Sequence, residues 1–147
     1  MVDRSTPVPM TPPLAPIRAR ALPESRRSSH AVRHAMAALD YQETINYSFV
    51  EERWEQQLAG NSDPICVLNP IAAPLAVMRS SLLGSLIGVL RYNLARRAGR
   101  VRVFELGRVF LRDAAAADGP ASVAGVAQPM RLGALGYGPA ETPQWGH

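Results

Sequence analysis

The chain has 147 residues and a formal net charge of +4, and all of its 16 basic side chains are arginines, since the sequence contains no lysine. This length suits one domain with a real core, because a chain of about 150 residues buries roughly 70% of its unfolded surface. A single cysteine, Cys66, excludes an internal disulfide framework. No apolar run approaches the ~20 residues that span a bilayer. These properties predict a cytoplasmic protein without a membrane segment.

The N-terminal segment is rich in proline, which fixes φ and removes a backbone donor. We therefore predict that residues 1–22 form an extended linker and that residues 23–147 form the domain. The prolines of the linker are Pro7, Pro9, Pro12, Pro13 and Pro16.

The first predicted helix begins at Glu24 or Ser25, with Ser25 as a plausible cap, and ends near Asp40. Its apolar stripe is narrow and rich in alanine, and small residues let another helix approach closely. Packing on its own sheet and packing on a partner's helix both fit this stripe. The stripe consists of Ala31, Val32, Ala35, Met36 and Leu39.

His30 and His34 are spaced by four residues on the same predicted helix, so their side chains share a face. A zinc site needs three or four protein ligands, and no further ligand accompanies these two at a suitable spacing. We therefore predict no metal site, and we expect a solvated or interfacial face.

Between residues 44 and 68 the pattern predicts three short elements. Thr44 to Val50 alternates large apolar and polar residues, which predicts a half-buried strand. Glu51 to Leu58 predicts a short helix with acidic residues near its positive end. Ile65 to Leu68 predicts another strand, with Cys66 as a small buried hydrophobe.

The second half of the chain has the clearest periodicity. Apolar residues recur at helical spacing from Ser80 to Arg97. A long strand is predicted over Val101 to Arg112, and Arg131 to Tyr137 predicts its antiparallel return. Together these elements predict an α+β fold, an antiparallel sheet flanked by helices. The apolar residues of the helix are Leu82, Leu83, Leu86, Ile87, Leu90 and Leu94.

Arg79 precedes this helix and allows three interpretations. It can contact a partner subunit or nucleic acid, it can be a loop arginine before capping serines, or it can form a salt bridge with Glu105. We name Arg79, Glu105 and Arg108 as candidate polar contacts. The common motifs of self-contained enzymes are missing from the sequence, so we predict no catalytic, cofactor-binding or metal-binding residues.

Four blocks in order carry a resemblance to a known family: Tyr41–Val50, Asn69–Pro70, Met78–Leu83 and Arg100–Phe110. They resemble the catalytic-like module of the phenylalanine–tRNA ligase β subunit, over roughly Pro23 to Trp145. The resemblance implies a class II aminoacyl-tRNA synthetase-like fold, here incomplete. It also implies that the first helix and the strand after it correspond to motif 1, which builds subunit interfaces. The alanine-rich stripe is then the predicted interface.

The resemblance extends to motif 2, where catalytic members carry an arginine that holds the α-phosphate of ATP. Here the corresponding residues are Phe110, Leu111, Arg112 and Asp113, with leucine at the arginine position. Leucine cannot offset negative charge, and Arg112 points to the opposite face if the strand continues. The third motif, with its ATP-binding arginine, also has no counterpart in the sequence. We therefore expect a non-catalytic structural module.

For the whole enzyme the resemblance implies an α subunit as partner, a heterotetrameric assembly, tRNA(Phe) as substrate, and ATP with magnesium. Another class of function is also open: a stand-alone RNA-binding or interaction module whose arginine-rich surface holds polyanions. A synthetase-like regulatory paralogue is a weaker alternative. An incomplete sheet would leave a bare edge strand, so self-association of the chain is a further expectation.

Overall fold

The computed structural model describes residues 28–119 and 122–141, so the predicted linker 1–22 lies outside the described residues. Three helical segments and seven short or medium strands make up the described part. The helices are α1 (Ser29–Ala38), α2 (Glu52–Trp54, continued by a π turn over Glu55–Ala59) and α3 (Leu83–Leu94), and a short 3-10 turn covers Ala73–Leu75. The strands are β1 (Gln42–Glu43), β2 (Phe49–Val50), β3 (Val77–Met78), β4 (Val101–Arg108), β5 (Leu111–Arg112), β6 (Val126–Ala127) and β7 (Met130–Tyr137).

The main sheet has three strands in the order β1-β4-β7. β4 and β7 are antiparallel, from Val101 opposite Tyr137 to Arg108 opposite Met130, so the predicted return strand is confirmed. β1 is parallel to β4, and the prediction of a purely antiparallel sheet is therefore wrong. Parallel pairing needs a long connection, and more than fifty residues, α3 among them, join β1 to β4. The α+β class is confirmed.

α1 begins at Ser29, later than predicted. Ser28 is the N-cap, and its Oγ accepts a hydrogen bond from the Ala31 amide at 3.2 Å. The predicted cap, Ser25, lies outside the described residues. At the other end Asp40 adopts a positive φ of 64°, and the amide of Tyr41 donates to the carbonyl of Met36. This turn brings the chain directly into β1.

The predicted strand over Thr44 to Val50 is wrong for most of its length, since only Phe49–Val50 is a strand. Ile45 and Tyr47 are 92% and 70% exposed, whereas the polar residues that alternate with them are half-buried. These polar residues are Thr44, Asn46 and Ser48. The reversal has a physical cause. The side chains of Thr44 and Asn46 form hydrogen bonds to β4 and therefore point inward. The apolar side chains point outward.

The acidic helix after β2 is confirmed, and it ends at Gly60 in the left-handed region at a φ of 66°. The carboxylate of Glu55 does not lie in solvent, because this residue is only 2% exposed. It accepts hydrogen bonds from the backbone amide and the hydroxyl of Ser80 and from Nδ2 of Asn61. Cys66 was expected to be buried, but it is exposed. The predicted strand over Ile65 to Leu68 is also wrong, since the structure has only an isolated bridge between Cys66 and Val77 there.

α3 covers one face of the main sheet. Of the predicted apolar stripe, Leu82 and Leu86 are buried in one cluster with residues of β4, and Leu90 packs against it, whereas Leu83 is 48% exposed and the prediction is wrong for that residue. The helix is shorter than the predicted Ser80 to Arg97, because Arg97 takes a positive φ of 62° after the last turn. Of the two predicted capping serines, Ser81 accepts from the Leu83 amide at 3.2 Å, whereas Ser80 binds Glu55. The cluster comprises Leu82, Leu86, Val101, Val103 and Val109.

The long predicted strand is divided into β4 and β5 at Val109 and Phe110. The Val109 amide donates to Pro129, and the Phe110 amide donates to the carbonyl of Arg79. After this break β5 pairs with β6 as a separate two-stranded ribbon. Within the part of the chain that the structure describes, no helix is long and apolar enough to cross a bilayer.

Candidate subunit-interface site

Arg79 and Glu105 form a buried ion pair, with Nη1 of Arg79 2.6 Å from Oε1 of Glu105. The pair is the centre of a network between the loop before α3, β4 and the segment 44–48. Arg79 donates to the carbonyls of Arg108 at 3.1 Å and Tyr47 at 3.4 Å. The other carboxylate oxygen of Glu105 accepts from Asn46 at 2.8 Å. Of the three interpretations of Arg79, the structure shows the salt bridge.

The predicted polar contacts therefore lie in two different environments. Arg79 and Glu105 are only 2% and 3% exposed, so in this conformation they cannot touch a partner directly. Arg108 is exposed and donates to the carbonyl of Gln128 at 2.9 Å. Only Arg108 can reach another molecule without rearrangement, and such a contact stays a prediction.

The predicted interface stripe on α1 lies largely at the surface. Ala31, Ala35 and Leu39 are exposed, and Leu39 reaches 62%. Val32 and Met36 are half-buried on the side toward the sheet, and no residue of α1 is fully buried. A 2.7 Å ion pair between Arg33 of α1 and Glu43 of β1 joins the helix to the strand. The stripe is thus available to a partner, although its role at an interface stays a prediction.

His30 and His34 pack edge to face, with ring centroids 4.2 Å apart. Among the described residues no group of three or more histidine, cysteine, aspartate or glutamate side chains could hold a metal ion. The two rings instead line a shallow depression between α1 and the sheet, beside Tyr41 and Phe104.

Leu111, which the resemblance matches to the motif 2 arginine, lies in the two-residue strand β5 opposite Ala127, and it is 36% exposed. Its neighbour Arg112 forms a 2.8 Å ion pair with Asp63 and also donates to the carbonyl of that residue at 3.3 Å. Arg112 is therefore held against the loop after α2.

Most arginines of the described residues have partners within the chain. Five form ion pairs with carboxylates, and Arg96 lies over the ring of Tyr92 at 3.3 Å. Arg100 binds Asp40 at 2.7 Å. Five of the eleven arginines among the described residues are thus paired with a carboxylate.

The sequence did not predict a groove beside α3. An apolar groove of about 360 Å³ lies between α3 and the segment 46–54. Trp54 lies against Gly84 and Gly88, which face it from successive turns of α3. The spacing of four between the two glycines is the only sequence signal, and alone it is weak. The groove is lined by Tyr47, Phe49, Val50, Trp54, Pro74, Leu75, Val89 and Tyr92, with Asn46, Glu51, Ser85 and Gly88 also in contact with it.

Known proteins similar to this chain are tRNA ligases. The phenylalanine–tRNA ligase β subunit of Burkholderia pseudomallei (strain 1710b) is 58% identical over 139 residues, and that of Burkholderia lata is 60% identical over 139 residues. The β subunit of Ralstonia nicotianae is 57% identical. Each alignment covers 95% of this chain but only 17% of the relative. The chain is thus similar to one part of the β subunits of aminoacyl-tRNA ligases.

The family can be stated more narrowly. Residues 8–147 match the family described as "Phenylalanyl tRNA synthetase beta chain CLM domain", and the chain belongs to this family. The chain spans about a sixth of the length of the curated relatives.

Proposed function

We propose that the chain is a non-catalytic structural and assembly module of a phenylalanine–tRNA ligase β subunit. It has an incomplete class II synthetase-like fold and binds the α subunit. The assembled enzyme attaches phenylalanine to tRNA(Phe) in the cytoplasm, using ATP and magnesium. The match to the family and to three named β subunits supports this proposal.

The observation that carries the non-catalytic part is Leu111. Adenylate formation builds negative charge on phosphate, and a preorganised cation at this position would offset it. Leu111 supplies none, and the guanidinium of Arg112 is held by Asp63. This chain therefore contributes no charge to that step, and the chemistry falls to the α subunit.

The assembly part is carried by the exposed stripe on α1. Ala31 and Ala35 leave the helix surface flat enough for the close approach of a second helix. Leu39, at the end of the same stripe, presents a large apolar side chain to solvent. Burial of such a surface against a partner helix is favourable, since apolar area leaves water.

The test of assembly is size-exclusion chromatography with light scattering on the chain mixed with the matching α subunit. A mixed complex is expected, and Leu39→Asp should weaken it by about tenfold or more, because the charge would be desolvated at the interface. Leu68→Asp is the matched control, since Leu68 is 96% exposed and lies far from α1 in sequence. If the chain is folded but does not bind the α subunit, the proposed role in assembly is wrong.

The absence of catalytic activity is tested by measuring pyrophosphate exchange by the chain alone with phenylalanine and ATP. No exchange above background is expected, because the motif 2 cation is missing. Exchange that is lost on heating together with the fold would show that this chain has its own active site.

Stand-alone RNA binding stays the alternative function, because six of the eleven arginines in the described part of the chain form no ion pair with a carboxylate. Binding of unrelated RNA with steep salt dependence, in the absence of any α-subunit binding, would favour that function instead.

A further inference from the structure

The C-terminal end of α3 carries a concentration of positive charge. Arg91, Arg96 and Arg97 lie within seven residues, and all three are exposed. None of them forms an ion pair with a carboxylate of the described residues. No aspartate or glutamate occurs from residue 83 to residue 100. The segment 91–97, called the basic end of α3 below, therefore holds three of the six arginines that lack a carboxylate partner in the described part of the chain.

The backbone at the end of α3 does not need these side chains as caps. Arginines near a helix C-terminus often bond the last free carbonyls. Here the carbonyls of Arg91 and Leu94 already accept hydrogen bonds from backbone amides of the next turn, at 3.0 and 2.9 Å. Only Arg96 uses its guanidinium in this way, since it donates to the carbonyl of Tyr92 at 3.0 Å. The guanidinium groups of Arg91 and Arg97 form no hydrogen bond with any residue that the structure describes, so both are available to a ligand.

Arg97 has a backbone conformation that is unusual for arginine. Its φ is 62°, in the left-handed region where glycine is the common residue after a helix. An arginine is accommodated there at a conformational cost, and residues of this kind are concentrated at active sites and ligand-binding sites. The side chain, and not the backbone, is what arginine supplies at this position.

An exposed aromatic ring lies among these charges. Tyr92 is 59% exposed, and Cζ of Arg96 lies 3.3 Å from the centroid of its ring. The guanidinium of Arg96 is therefore held both by the ring and by the Tyr92 carbonyl. A guanidinium that is ordered in advance loses less side-chain entropy when it binds a phosphate.

Tyr92 also lines the apolar groove beside α3, together with Tyr47 and Trp54. The volume of the groove, about 360 Å³, lies within the range of small-molecule pockets. Glu51 borders the groove as well, but its carboxylate is paired with Arg53. The groove thus offers aromatic surface directly beside the basic end of α3.

The two neighbouring surfaces match the two parts of a nucleotide. Guanidinium groups bind phosphate oxygens in a planar, bidentate manner. Unpaired bases stack on aromatic rings and on guanidinium planes, and proteins recognise RNA mainly through such bases. A base within a duplex is stacked and paired on both sides, so it cannot enter a groove. The surface therefore fits a single strand.

We propose that the basic end of α3 and the adjoining groove bind single-stranded RNA. Arg91, Arg96 and Arg97 hold the phosphates, and one base stacks beside Tyr92 in the groove. This inference goes beyond the proposed function and does not depend on it, because the α1 stripe plays no part in the contact.

The phosphate contacts are tested by fluorescence anisotropy with fluorescein-labelled octauridylate. Arg91→Gln with Arg97→Gly should lower the affinity by about tenfold at low salt. It should also reduce the slope of log K against log salt by about 1.4, since each phosphate contact on a single strand contributes about 0.7. Glutamine is as good a helix former as arginine, and glycine suits the positive φ of Arg97, so the fold should persist.

Arg112→Gln with Arg131→Gln is the matched control. It removes the same charge, but Arg112 is bound to Asp63 and Arg131 borders the opposite end of α3. Its affinity for octauridylate should stay within about twofold of that of the unmodified chain, because neither residue belongs to the proposed surface. Equal losses in the two double variants would show that net charge alone drives binding, and they would overturn the inference.

The stacking contact has its own readouts. An abasic strand of the same length and charge should bind about fivefold or more weakly than octauridylate, and Tyr92→Leu should cost a similar factor. In a Trp145→Phe chain, Trp54 is the only tryptophan, and octauridylate should quench its fluorescence whereas the abasic strand should not. Equal binding of the two strands would overturn the inference, as would tighter binding of single-stranded DNA or of anionic phospholipid vesicles than of the RNA.

The outcomes separate this inference from the proposed function. The Arg91 and Arg97 double variant should bind the α subunit as the unmodified chain does. A chain that binds the α subunit but not octauridylate would overturn this inference alone, whereas a chain that binds octauridylate but not the α subunit would overturn the role in assembly alone. Urea unfolding checks that each variant is folded, and if the double variant is not, Arg91→Gln and Tyr92→Leu decide.

Discussion

The guanidinium of Arg79 and the carboxylate of Glu105 lie 2.6 Å apart with side chains only 3% and 4% exposed, and they join three parts of the chain. Arg79 also bonds Tyr47 and Arg108, and Glu105 also bonds Asn46. Burial of two charges is costly, so such a pair is a weak source of net stability, but loss of one partner leaves an uncompensated buried charge. The pair therefore fixes how the segment 44–48 sits on β4.

Removal of either charge should destabilise the domain strongly. We expect Arg79→Met and Glu105→Gln each to lower the free energy of unfolding by about 3–5 kcal/mol, measured by urea denaturation. The double variant should cost less than the sum, because it removes both buried charges. Arg53→Met is the control, since the Arg53–Glu51 pair is exposed and should contribute about 1 kcal/mol or less. Additive effects in the double variant would show that the two residues do not act as a pair.

Gly107 is required by the same ion pair. A Cβ at this position would overlap the Arg79 guanidinium and stand 3.1 Å from a carboxylate oxygen of Glu105. Gly107→Ala should therefore cost about 3 kcal/mol in the free energy of unfolding, as overpacking of a tight site does. Gly99→Ala is the matched control, because a Cβ there has no neighbour within 4 Å, and it should be neutral or slightly stabilising. Equal effects of the two substitutions would contradict the tight packing around Arg79.

Glu55 gives a second test of a buried carboxylate. Glu55→Ala would leave the Ser80 amide and the Asn61 side chain without their acceptor, and we expect a loss of about 3 kcal/mol in thermal or urea unfolding. Glu52→Ala removes an exposed carboxylate of the same short helix, with an expected effect within about 0.5 kcal/mol. If both variants unfold alike, Glu55 does not hold the loop before α3.

Much of the fold could be predicted where the periodicity is long. β4 and β7 cover eight residues each, and the return strand was predicted to within one residue of its observed start at Met130. In α3 the recurrence of leucine identified Leu82 and Leu86 as core residues, and both are buried. Long elements of this kind carry enough residues for a period to be recognised.

The rest depends on contacts between residues far apart in sequence. β1 has two residues, which is too short for any period, so its parallel pairing with β4 had no local signal. Ile45 and Tyr47 follow the pattern of a half-buried strand, yet Asn46 turns inward because Glu105, 59 residues later, accepts its hydrogen bond. The burial of Glu55 likewise depends on Ser80.

The candidate site shows the same division. The α1 stripe could be listed from helical spacing, whereas the comparison of Leu111 with a motif 2 arginine comes only from the resemblance to the family. The groove could not be predicted, because it arises where Trp54 meets α3 and leaves space between Tyr47 and Tyr92. No single segment of the sequence carries that arrangement.

The contact of Trp54 with Gly84 predicts that the effect of Gly84→Ala on the free energy of unfolding changes sign when the tryptophan ring is removed. A Cβ at Gly84 would lie 2.9 Å from Cε3 of Trp54, so Gly84→Ala should destabilise the domain by about 1–2 kcal/mol although alanine is the better helix former. In a Trp54→Leu background the ring is gone, and the same substitution should then stabilise α3 by about 0.5–1 kcal/mol.

Circular dichroism at 222 nm follows unfolding in both backgrounds, since the fluorescence of Trp54 is lost in one of them. Gly99→Ala is again the control, because it lies outside α3 and away from Trp54, and its effect should be the same in both backgrounds. A destabilising Gly84→Ala in the Trp54→Leu chain would mean that Gly84 is required by a neighbour other than the tryptophan ring, and that the wall of the groove is not set by this contact.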